Sequence, residues 1–85
     1  MKPTQSNIWS CAVNRNKILP KTKEKDFLDA IASELLELAE AKTMDSKKPE
    51  LADIVLICYS YAQHYGFDLD FELSEKHKYN LTRKD

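Results

Sequence analysis

Four carboxylates interrupt two otherwise apolar stretches of the chain, Glu34 and Glu37 in the first, Glu50 and Asp53 in the second. Each pair has i, i+3 spacing, which on an α-helix sets the two Cβ atoms about 5–6 Å apart on one face. Twelve residues separate Glu37 from Glu50. That is enough for the rest of one helix, a turn and a reversal, so an antiparallel hairpin would turn the two pairs toward each other. Four like charges gathered in this way repel, and a divalent cation removes the repulsion. A donor set of oxygens alone, without His or Cys, suits Mg²⁺ or its substitute Mn²⁺ better than Zn²⁺. Mg²⁺ keeps waters and takes phosphate oxygens as further ligands, so the expected substrate is a phosphate compound. Acidic pairs of this kind are also common on solvated helix faces. Asp53 weighs against that reading, because it interrupts the most apolar stretch of the chain, Leu51 to Ala62, and buried charges are paired or bound to metal. Glu40 continues the series from Glu37 and reads as solvated.

Near the end of the sequence, Lys76, Asn80 and Arg83 stand at i, i+4 and i+7, one face of a helix. Lys and Arg neutralise phosphate charge, Arg in a bidentate manner, and Asn hydrogen-bonds phosphate, sugar or base. Taken alone, the same residues describe a solvated helix end whose cations suit the macrodipole.

The elements that must position these groups are helical. With one Gly and three Pro in 85 residues, the turn punctuation of a many-stranded fold is missing. Four helices are expected, near Gln5 to Asn14, Glu24 to Lys42, Pro49 to Tyr65 and Leu69 to Leu81. In the second, Phe27, Leu28, Ile31, Leu35, Leu38 and Ala39 recur at spacings of three and four and form an apolar stripe. Pro49 suits the first turn of the third helix, Gly66 its C-terminal cap, and Asp68 the N-cap of the last. The third helix is apolar nearly all round and asks for cover on every side. The expectation is therefore an all-α single domain over residues 1–85, a small bundle of three to four helices per chain completed by homo-oligomerisation. A domain of this size buries only about 60% of the surface its unfolded chain exposes, which points the same way. Trp9, Tyr59, Tyr61 and His64 read as interior residues and His77 as surface.

Thirteen basic against fourteen acidic residues, a formal net charge of -1, exclude a broad basic footprint for a nucleic-acid polymer or an anionic membrane. Cys11 and Cys58 lie far apart with no metal-ligand spacing and read as free thiols. No stretch is apolar for long enough to span a bilayer or has the make-up of a secretory signal, so a cytoplasmic location is expected.

Taken together, the elements ExxE (Glu34-Leu35-Leu36-Glu37), ExxD (Glu50-Leu51-Ala52-Asp53) and KxxxNxxR (Lys76 to Arg83) resemble, in order and spacing, the MazG-like family of all-α nucleoside triphosphate pyrophosphohydrolases. The likeness extends over roughly Trp9 to Arg83 and includes Tyr65-Gly66-Phe67-Asp68-Leu69 before the last helix. The resemblance implies that Glu34, Glu37, Glu50 and Asp53 hold Mg²⁺, and that Lys76, Asn80 and Arg83 contact the triphosphate. It implies attack of an activated water on the α-phosphate with release of pyrophosphate, the water oriented by Glu37 or by a carboxylate of the second pair, Asp53 among them. Dimers or tetramers are implied as well. Two positions depart from the family pattern: Ser33 stands where a further Glu is usual, which bears on the number of metal ions held, and Leu36 where a Gly is usual, which bears on pocket shape. Two other readings share the sequence, a helical domain that senses metal or nucleotide without turnover, and a plain helical dimerisation module.

Overall fold

The computed structural model describes residues 2–84; the two outermost residues of the expected 1–85 domain lie outside the described residues. The described residues form four α-helices and no strand: α1 (Gln5–Asn14), α2 (Glu24–Glu40), α3 (Met44–His64) and α4 (Leu69–Thr82). Local chemistry sets most of their ends. Thr4 caps α1 by accepting from the Asn7 N–H, and Asp68 caps α4 through Phe71, each satisfying one of the donors a helix start leaves open. The Asp26 carboxylate accepts the Lys23 N–H at the start of α2.

The third helix begins earlier than Pro49. Thr43 and Ser46 cap its start reciprocally, each side chain accepting the other's N–H, and this capping box outweighs the proline. Pro49 therefore lies inside α3, where the one bond it forgoes falls at the carbonyl of the exposed Asp45. Only three residues remain between α2 and α3, and Lys47 Nζ donates back across the turn to the Leu38 carbonyl at 3.0 Å, where the C-terminal end of α2 favours a cation.

The result is a tight antiparallel hairpin. Contacts climb it rung by rung, from Lys47 with Leu38 near the turn to Phe27 against Tyr61, His64 and Tyr65 at the far end. The buried stripe of α2 includes Phe27, with Ala30, Ile31, Glu34 and Leu38 half-buried, whereas Leu28, Leu35 and Ala39 of the expected stripe face outward. Helix α1 packs across α3, while α4 meets α3 only near its own start, where the Tyr59 hydroxyl donates to Asp70. Buried side chains are few: Ile18, Phe27, Tyr59, Ser60 and Ala62. Leu51, Val55 and Leu56 on the first half of α3, and Phe71, Leu73, Tyr79 and Leu81 on α4, are exposed. The single chain thus covers only the second half of α3. No helix among the described residues is long and apolar enough to cross a membrane.

Both irregular joints use a left-handed residue. After α3, Gly66 takes φ +78°, and the Phe67 and Gly66 N–H groups donate back to Ala62 and Gln63, the bond pattern of a Schellman motif. After α1, Asn16 at φ +60° does the same, with Lys17 and Asn16 donating to Ala12 and Val13. A Cβ at Gly66 would meet nothing within 4 Å, so Gly66→Ala carries backbone strain alone. The expected loss is about 1 kcal/mol. For a domain of this size, thermal denaturation should report it as a fall in Tm of about 4–8 °C.

Candidate metal centre

The hairpin brings carboxylates from α2 and α3 together. One oxygen each of Glu34, Glu50 and Asp53 lie within 4.8 Å of one another, close enough for a single cation to touch all three. Glu34 stands at the centre of this group. Its Oε2 is buried without a hydrogen-bond partner, a condition that native structures rarely tolerate without an ion or water to fill the place. Burial of its carboxyl, then the neighbouring Glu37, then Asp53 and Glu50, push its pKa up from the ordinary 4.5 to about 7. Each of these causes penalises the charged form, and each is reversed by a cation.

Glu37 does not join the three-oxygen group. It is exposed on α2 beside Glu34, one turn on, and acts on Glu34 through its charge and through side-chain hydrogen bonding that favours the protonated carboxyl. Asp53 is exposed as well, which corrects the expectation that the apolar stretch around it buries its carboxylate. In the single chain that part of α3 is open, and only the grouping with Glu34 and Glu50 marks Asp53 out.

Glu34 and Asp53 also line a cleft of about 670 Å³ between α1 and the hairpin, floored by Ile18, Phe27 and Ile57 and walled by Asn7, Ile8 and Cys11. This lies within the usual range for sites that take small molecules or cofactors. Two cations line it, Arg15 and Lys17, held on either side of the left-handed Asn16. Sequence spacing gave them no role; the one available signal was Asn16 itself, a residue that tolerates the left-handed cap after an amphipathic segment. No residue of α4 lines the cleft. Lys76 lies over the Tyr79 ring at 4.9 Å, and Arg83 Nη1 donates to Asn80 Oδ1 at 3.2 Å. Lys76 and Asn80 thus stand on α4 and Arg83 follows it as the extended C-cap, and the single chain brings none of the three to the cleft.

The donor set is one that could hold a divalent cation such as Mg²⁺: it is all oxygen, it contains a buried unpartnered carboxylate oxygen, and it gathers negative charge that a cation or a proton relieves. Cys11 and Cys58 are free thiols, and neither belongs to the three-oxygen group.

Fold and site together define a four-helix, all-α chain with an acidic centre at the edge of an apolar cleft. Comparison with known protein families, curated proteins and solved structures returned no match.

Proposed function

We propose that this chain is a Mg²⁺-dependent nucleoside triphosphate pyrophosphohydrolase of the cytoplasm, converting (d)NTPs to (d)NMPs and pyrophosphate. The observation that carries the reading is the buried, unpartnered Glu34 Oε2, grouped with Glu50 and Asp53 on the border of a cleft large enough for a nucleotide. The order of ExxE, ExxD and KxxxNxxR elements supports it. Glu34, Glu50 and Asp53 would hold the metal, with Glu37 alongside. Bound Mg²⁺ supplies charge neutralisation at the phosphates and lowers the pKa of water. Glu37, exposed next to the group, is available to orient a water and accept its proton. Asp53 has the same capacity from the opposite helix. Arg15 and Lys17 neutralise phosphate charge from within the chain, and the apolar floor takes the base.

Lys76, Asn80 and Arg83 would reach the phosphates from a second copy. In this reading the protein is a homodimer or homotetramer in which the outward Leu28 and Leu35 of α2, Leu51 and Val55 of α3, and the exposed apolar residues of α4 cover one another. Exposed apolar surface on this scale marks an interaction site. The absence of α4 residues from the cleft favours a second reading, in which nucleotide and metal bind without turnover and the chain acts as a sensor.

Pyrophosphate release from a panel of canonical and modified NTPs and dNTPs, with Mg²⁺ or excess EDTA, separates these readings. Metal-dependent release is expected. Mg²⁺ at about 100 times its dissociation constant should also stabilise the fold by about 2.7 kcal/mol. Stabilisation without release supports the sensor, and neither response reduces the chain to a helical dimerisation module.

A further inference from the structure

The wall of the cleft is α1, which packs across α3 and is tied to the rest of the chain by Gln5 and, through one histidine, by Trp9. Trp9 Nε1 donates to His64 Nδ1 at 3.3 Å, and His64 Nε2 lies 3.3 Å from the Thr22 carbonyl. A carbonyl only accepts, so Nε2 carries the proton and Nδ1 is left bare to accept from the indole. This chain of bonds joins α1, the α1–α2 connection and α3, and it exists only for the neutral imidazole.

The geometry points to His64 as a positioning residue that lets go of the Trp9 ring, and with it one tie between α1 and the hairpin, when it takes up a proton. Protonation at Nδ1 sets two N–H donors against each other across 3.3 Å. The rings of Phe27 and Tyr65, at 5.1 and 5.3 Å, flank the imidazole. Glu24, on the first turn of α2, is engaged by the Tyr61 hydroxyl. Among the described residues no carboxylate forms an ion pair with His64 that would hold the cation in place. Protonated His64 thus keeps its bond to Thr22 and loses Trp9, so α1 keeps its packing across α3 and the bonds of Gln5 but not this tie. The inference concerns the cleft and does not depend on the reaction proposed for it.

Trp9 is the sole tryptophan, so its emission reports the contact directly. Fluorescence of the full chain from about pH 8 to pH 5, with circular dichroism followed in the same samples, should give a single-proton red shift while helicity is kept. His77→Gln, which changes the other histidine, should retain the shift. His64→Gln presents an acceptor and a donor but does not titrate; it should keep the docked emission at both ends of the range. Emission of the wild type that is invariant with pH overturns the inference, as does the same transition persisting in His64→Gln.

Discussion

Asp53→Asn is expected to lower Mg²⁺-dependent pyrophosphate release by at least about 100-fold and to abolish stabilisation by Mg²⁺, a loss at or beyond the upper end of that seen for outer-sphere partners of metal ligands. The substitution preserves shape, so it isolates charge. Asn offers the ion one carbonyl oxygen in place of a carboxylate and presents N–H donors toward Glu34 and Glu50, which the metal would otherwise bridge. Because Asp53 is exposed, the fold without metal should be little changed, and loss of function will not be loss of structure. Glu40→Gln, also exposed and outside the three-oxygen group, should leave both quantities unchanged. Equal effects from the two variants would show that the charge of the acidic surface, and not a defined centre, is what matters.

Glu34→Gln should make the metal-free protein more stable at pH 8 while destroying its response to Mg²⁺. The sign follows from the direction of the shift. Glu34 holds its proton up to about pH 7 in the folded chain, against an ordinary 4.5. Between those values the folded state binds a proton that the unfolded state has released, so stability falls as pH rises through the window and is level above it. Gln carries no ionisable proton and escapes that fall. Denaturant unfolding in EDTA at pH 8 should therefore rank Glu34→Gln above the wild type, and Mg²⁺ should reverse the order. The wild type's affinity for Mg²⁺ should weaken by about tenfold per pH unit below pH 7, because the ion must displace that proton. A variant that is less stable than the wild type in EDTA at pH 8 would mean that the Glu34 carboxylate already has a stabilising partner.

Much of this architecture was legible from residue types alone, where one local signal had no competitor. Gly66 and Asp68 punctuate the chain with strong caps, and the end of α3 and the start of α4 fall where those signals put them. At the third helix two signals competed. Pro49 looked like a first-turn proline, but a reciprocal Thr43–Ser46 cap begins the helix a turn and a half sooner. The i, i+3 spacing brought Glu34 toward the Glu50–Asp53 turn across the hairpin. Glu37 falls outside the three-oxygen group, since spacing along one helix carries no information about how that helix is rotated against its neighbour. The same rotation turned Leu28 and Leu35 outward. Arg15 and Lys17 were invisible for a related reason: their place on the cleft depends on a turn that folds α1 back over α3.

Gln5 spans the joint between α3 and α4. Its Nε2 donates to the Phe67 carbonyl and to Gln63, and its Oε1 accepts the Leu69 N–H, one of the open donors at the start of α4. A residue near the beginning of the chain therefore splints an elbow formed more than sixty residues later. The direction of α4 thus depends on the docking of the first helix, and a chain shortened by its opening turn would keep the hairpin while its final helix was held by the Tyr59–Asp70 bond and the turn at Gly66 alone. Whatever surface α4 offers to another molecule is set in this way by the opposite end of the polypeptide.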